Sequence, residues 1–392
     1  APDALYDPAD PAHVSLKVHL DRLDPAVRKS AGALLAQAKA AAEKATGMNA
    51  SPVELIALGG LGTADRLLKH LDDAKTAAIR LSVDTAAVDL TAELTVVPKA
   101  GGPLSVLLAA ARPTTNRFAG LLTPDTAGGF VVRLPFFNDE LKAAGLKALA
   151  DAENAAGFAG PGADLMREAL KAAGRAVKSG EADLAGAMRG PDKNGRFTLV
   201  AAAALPDPSG IEKELKRLVE NDAPPEFRQA VKWNADKAGA VPIHVLDFGQ
   251  IPDIERGGDG AWAKVFGGAA GKAAMAFAPQ AVYLAIGPDA VAAVKAAAAL
   301  PPGPAPVLDV MANPGRIKKL MTTAGAPPRE VDGFTQILGS GDRPVRLAAL
   351  TVDGGADLKV TARLSLRMLV GFFGARAHAT FEPVAPPPPP GR

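Results

Sequence analysis

The 392-residue chain contains no cysteine. That excludes disulfides, thiolate metal sites and thiol nucleophiles together, but leaves the redox compartment open, because exported and cytoplasmic chains alike can do without the residue. Aromatic side chains make up only 5%, with two Trp and two Tyr, so stacking platforms for bases or sugars are few. Neither sign of charge dominates: 44 basic and 42 acidic residues leave a formal charge of +2 and are interspersed along the sequence. A nucleic-acid partner, which needs a basic stripe, is not expected. Long apolar runs are missing too. One candidate, Leu366 to Phe373, contains Arg367 and falls far short of the ~18–20 residues that span a bilayer, so it reads as buried strand or helix.

What the chain does have is the balance of a globular protein, 48% hydrophobic and 22% charged, enough to bury one large core or two medium ones. Its clearest pattern is a pair of amphipathic ribbons, one near each end. In the first, Ile79, Leu81 and Val83 alternate with Arg80, Ser82 and Asp84. Beyond a turn, Val88, Leu90, Ala92, Leu94 and Val96 alternate with Asp89, Thr91, Glu93 and Thr95. In the second, Leu350-Thr351-Val352-Asp353 leads through Gly354-Gly355 into Leu358, Val360, Ala362, Leu364 and Leu366, spaced by Lys359, Thr361, Arg363 and Ser365. Alternation of period two sends apolar side chains to one sheet face and polar ones to the other. The expected fold is α+β, with antiparallel sheets packed against Ala-rich helices in two related halves.

Helix and turn signals fill in the remainder. Helices are expected at 24–46, 53–71, 104–111, 163–188, 210–220, 289–300 and 314–321, and strands at 129–136, 196–205, 241–248, 274–286 and 307–311. Ala223-Pro224-Pro225 and Pro301-Pro302-Gly303-Pro304 read as linkers. The division expected is 1–205 and 206–382, followed by a tail, Pro383 to Arg392, whose five consecutive prolines are stiff and extended. That tail could serve as an attachment point for a protein partner or for self-association.

Fragments suggesting catalysis fail on alignment. Gly60-Leu61-Gly62-Thr63-Ala64-Asp65 places a carboxylate where a dinucleotide loop needs its third glycine, and Gly267-Gly268-Ala269-Ala270-Gly271-Lys272 lacks both the first glycine and the Ser/Thr of a phosphate loop. The histidines His13, His19, His70, His244 and His378 show no metal-ligand spacing, and no serine sits in a nucleophile elbow. His244, between Ile243 and Val245, should face away from both. No catalytic residue, cofactor or metal ligand is assigned. Two groups remain as sites for a ligand: the acidic loop Asp247, Asp253, Glu255 and Asp259, which could hold a cation, and an apolar set, Phe130, Phe136, Phe137, Phe372 and Phe373, which could line a pocket.

The phrase from Ala281 to Ala290, the segment Pro306-Val307-Leu308-Asp309-Val310, the ribbon from Val345 to Leu366 and Ala119-Gly120-Leu121-Leu122 together resemble large exported proteins of unknown function from planctomycete-type bacteria. The resemblance implies a signal peptide and no assigned activity. The start Ala1-Pro2-Asp3, without an initiator Met, fits a mature chain in the periplasm or outside the cell. The expected role is a non-catalytic structural or interaction protein of the cell envelope or secreted fraction. The alternative is a carrier holding a lipid or other apolar ligand between sheet and helices.

Overall fold

The computed structural model describes residues 12–22, 33, 37, 73–85, 88–110, 115–134, 139–156, 160–180, 182–251 and 260–367. Apart from residues 33 and 37, the expected helix at 24–46 lies outside them, as do the expected helix at 53–71, His70, His378 and the proline tail. The fold is α+β. The chain divides into two compact units, one of Ala1–Thr85, Leu90–Pro113 and Thr351–Ala362, the other of Ala86–Asp89, Thr114–Leu350 and Arg363–Arg392. The boundary expected at 205/206 therefore falls inside the second unit.

Both ribbons form strands, at 74–84 with 89–98 and at 345–353 with 358–365, but they are not divided one to each half: the smaller unit holds residues of both, and Ile79 on the apolar side of the first is 47% exposed. β1 (Val14–His19) pairs antiparallel with β2 (Ala74–Asp84), Leu16 lying opposite Ile79 and Val18 opposite Ala77; β3 (Asp89–Pro98) follows β2 in the sheet. The strand next to β3 comes from the far end of the chain, at 358–365. Helix α1 (Pro103–Ala110) closes the apolar face, where Leu104 and Leu108 pack with Leu20, Ala74, Val96 and Leu358. On the polar face Glu93 sits between Lys359 at 2.7 Å and Arg80 at 3.4 Å. The Lys359 hydrogen bond, helped by Arg80, holds the Glu93 carboxyl below its ordinary range against a smaller opposing effect of burial. A depressed carboxyl stabilises the fold above its unfolded pKa, and that contribution fades as pH falls through the folded value. Glu93→Gln is expected to cost about 0.5–1 kcal/mol at neutral pH, less in molar salt, measured by urea unfolding at both ionic strengths.

The larger unit carries, in chain order, β4 (Thr115–Asn116), β5 (Thr126–Leu134), α2 (Asp139–Ala156), α3 (Ala163–Ser179), β6 (Ala182–Arg189), β7 (Thr198–Ala203), α4 (Ser209–Asn221), α5 (Pro225–Ala230), β8 (Val231–Ala238) and β9 (Val241–Asp247). Then come α6 (Ala261–Phe266), β10 (Lys272–Ala278), β11 (Ala281–Gly287), α7 (Ala290–Ala298), β12 (Gly303–Pro304), β13 (Leu308–Ala312), α8 (Pro314–Ala324), α9 (Pro328–Leu338) and β14 (Val345–Asp353), whose first six residues belong here. Its strands run β14-β13-β5-β6-β7-β11-β10-β9-β8, and their pairings are antiparallel. β15 (Leu358–Ser365) is the last element among the described residues.

Three sequence expectations change here. The helix read at 163–188 stops at Ser179: Gly180, left-handed at φ 80°, donates its N–H to Ala176 and Val177, and residues 182–189 form β6 instead. Alanine favours helix, but here Ala185 and Ala187 are small enough to lie buried between β5 and β7. The single strand read at 274–286 is the hairpin β10–β11, turning at Pro279-Gln280. The helix read at 210–220 starts one residue earlier, at Ser209, with Pro208 at the cap position, and Ser209 donates its hydroxyl to Asp207 at 2.6 Å.

Both faces of this sheet are apolar. One buries Val131, Ala185, Val200, Ala202, Ile243, Ala276, Tyr283 and Ala285 under α7 and the Phe118–Leu121 segment. On the other, Phe277, Met275 and Val282 pack with Ala172 of α3 and Ile211 and Leu215 of α4. The cross-strand rows of this second face stay apolar far beyond those helices. One row runs Val310, Phe130, Gly186, Ala201, Leu284, Met275; the next runs Leu308, Val132, Leu184, Ala203, Val282, Phe277.

Candidate functional site

Two features of the larger unit combine position with chemistry. The first lies where α4 crosses the β8–β9 edge. Strand alternation does send His244 to the face opposite Ile243 and Val245, and α4 covers it there: the side chain is only 4% exposed. Its Nε2 lies 3.1 Å from Glu212 Oε1, and its Nδ1 accepts the backbone N–H of Asn234 at 3.1 Å. An Nδ1 that accepts cannot carry the proton, so the neutral ring is protonated on Nε2 and donates to Glu212. One turn along α4, Lys216 donates to the same Glu212 oxygen at 2.6 Å and rests 5.6 Å over the Trp233 ring. Trp233 meets the imidazole edge to face, and Phe277 packs against it tilted.

The electrostatics follow from burial. Desolvation pulls the His244 pKa down, outweighing the Glu212 carboxylate that pulls it up, with a further small lowering by Lys216. For Glu212 burial raises the pKa, but Lys216 and then His244 more than reverse it and the carboxyl titrates below its ordinary range. Both shifts have the same sign for stability. Each lowered group stabilises the fold above its unfolded pKa, so the contribution weakens first as pH drops below the ordinary histidine range and again through the carboxylate range. With both ring nitrogens engaged inside the fold, the arrangement ties a helix to a strand.

The second feature is the uncovered part of the apolar rows. Phe130 is 42% and Leu184 38% exposed, and Val132, Met188, Leu199, Leu284, Ile286, Leu308 and Val310 around them are only half-buried. The Phe130 ring lies down on the sheet because its neighbour is glycine: a Cβ on Gly186 would come within 2.9 Å of the ring edge. The face is open. Two depressions of about 490 Å³ lie elsewhere, one beside Lys318, Lys319, Thr322, Thr323 and Asp342, the other beside Glu212, Lys213, Lys216 and Arg217 along α4.

Of the residues named from sequence, Asp247 accepts the Gly249 N–H at 3.2 Å and so closes a turn after β9, while Asp253, Glu255 and Asp259 lie outside the described residues. Phe130 is on the open face; Phe136, Phe137, Phe372 and Phe373 lie outside the described residues. Among the described residues no three His, Asp or Glu side chains converge as a metal site would require. His13 accepts the Val83 N–H at 3.1 Å, bracing the start of β1. Glu212, Lys216 and Trp233 were not singled out from sequence. The four-residue spacing of Glu212 and Lys216 marks a helical pair, but nothing in sequence joins it to a histidine so far along the chain. Among the described residues no helix is long and apolar enough to cross a membrane. No family model, curated protein or solved structure matches the chain.

Proposed function

We propose that this chain is a non-catalytic interaction protein of the cell envelope or secreted fraction, and that it associates with a second copy of itself through the open apolar face around Phe130 and Leu184. The observation that carries this is the pair of cross-strand rows from Val310 to Met275 and from Leu308 to Phe277, which continue past the helices with no charged side chain in them and leave two large apolar groups at the surface. Exposed apolar patches of this kind serve as contact surfaces. A neutral face is matched best by a like face, because a charged partner would have to leave its charge dry and unpaired, and sheets stack face to face about 10 Å apart. The extracytoplasmic setting rests on the resemblance of residues 281–290 and 345–366 to exported proteins.

Sedimentation equilibrium provides the test. Wild-type protein is expected to shift from monomer toward dimer at tens of micromolar, a range typical of a modest interface, while Phe130→Ser and Leu184→Ser each weaken the association about tenfold or more. A monomer at every concentration, or serine variants that associate like wild type, would overturn the assignment. The carrier alternative predicts a different result: native mass spectrometry would find lipid on the wild-type chain and none on the serine variants.

A further inference from the structure

The geometry points to a proton-operated latch at the β8 edge, in which His244 holds the bulged middle of that strand when neutral and releases it when protonated. β8 ends the strand order, and its pairing with β9 is interrupted: Lys232 lies opposite Val245, the next regular partner is Asp236 opposite Ile243, and the register shifts between them. The residues between bulge away, and Asn234 adopts a left-handed φ of 52°, unusual without glycine. Its N–H has no ladder carbonyl to meet. The imidazole Nδ1 of His244 takes that place at 3.1 Å, so a side-chain lone pair stands in for a backbone acceptor.

A proton taken from solvent onto Nδ1 removes that lone pair. Two N–H groups would then face each other across 3.1 Å, and the bond to Asn234 is lost. On the other side of the ring the Nε2–H bond to Glu212 becomes charge-assisted and tightens. Acid therefore strengthens the hold of the helix on the ring and frees the strand. The charged groups facing the imidazole are both on α4, Glu212 favouring the proton and Lys216 opposing it. β10 contributes Met275 opposite His244 and the Phe277 ring, and β8 contributes Trp233 and Asn234, none of which titrates in this range. Asp236, further along β8, is paired at 2.7 Å with Lys295 of α7. Burial sets the threshold below the ordinary histidine range, so the latch stays closed at neutral pH and opens in mild acid.

Amide hydrogen exchange resolved by NMR, together with the imidazole carbon shifts of His244, tests this on the full chain. Between about pH 7.5 and about pH 4.5, the Asn234 amide of wild type is expected to lose about tenfold or more of its protection, after correction for intrinsic exchange, in step with the His244 titration. The Ile243 and Val245 amides should keep theirs. In His244→Asn, whose carbonyl can accept from Asn234 and cannot titrate, protection should not vary over that range; His244→Gln serves if that variant does not fold. Glu212→Gln should move the wild-type transition to lower pH, since it removes the group that favours the proton. Unchanged Asn234 protection while His244 titrates, an equal acid response in the Asn or Gln variant, or a Glu212→Gln shift to higher pH would each overturn the latch.

Discussion

Gly287→Ala is expected to destabilise the larger unit by about 3–5 kcal/mol. Gly287 ends β11 with φ 139°, a conformation that side chains rarely adopt. The space beside it is also taken: a Cβ would lie 2.5 Å from the Phe197 carbonyl oxygen and 2.8 Å from the Thr198 Cα. These are backbone atoms of a segment fixed on several sides. Phe197 donates its N–H to Val265 at 2.7 Å and its ring is fully buried, while β7, starting at Thr198, is paired with β6 on one side and β11 on the other. Relief would require moving a central strand. Against a total stability of about 5–15 kcal/mol, the cost should appear as a melting midpoint lower by about 10 °C and a matching fall in the urea midpoint. A loss under about 1 kcal/mol would mean the sheet yields where the packing says it cannot.

Phe118→Ala should cost a comparable amount, about 3–5 kcal/mol, through a different mechanism. Phe118 is completely buried, its ring meets Tyr283 edge to face with centroids 6.0 Å apart, and it belongs to the core cluster that α7 seals. Its backbone N–H is held by the Asn116 side chain at 2.7 Å, so the chain around it cannot easily collapse into the void. The same substitution at Phe130, on the open face, should cost less than about 1 kcal/mol. Chemical denaturation of both variants provides the comparison. Equal costs would show that the two faces of the sheet are sealed alike, and the association proposed for the open one would lose its basis.

Both residues show what a sequence can and cannot tell. The ribbons at 79–96 and 350–366 were legible because they alternate apolar and polar side chains, the pattern of a sheet with one wet face. The central strands carry apolar side chains on both faces, the open one included. β6 reads Ala182-Asp183-Leu184-Ala185-Gly186-Ala187-Met188-Arg189, apolar on both sides, and its alanines suggest a helix until Gly180 is recognised as the stop. The turn between β10 and β11 escaped for a related reason, since Pro279-Gln280 lacks the glycine that marks most tight hairpins. At the latch, the orientation of His244 followed from strand alternation alone. Its partners did not, because Glu212 and Asn234 come to it from a different helix and a different strand. Phe130 was read as lining a pocket, yet whether a large ring ends up inside or outside depends on what the helices cover, which no local pattern encodes.

The smaller unit has a consequence for biosynthesis. Its sheet joins β3, which ends at Pro98, to β15, which begins at Leu358, and Leu358 is part of its buried cluster. A ribosome delivers the first of these strands on the order of tens of seconds before the second, at about 5–20 residues per second. During that interval the nascent chain carries a strand whose hydrogen-bonding edge awaits a partner not yet translated, a state prone to mispairing with neighbours. Slow translation or a holding chaperone would therefore matter more for this part of the molecule than for the contiguous stretch from 114 to 350. A stop codon anywhere before residue 351 would leave it without its closing strand.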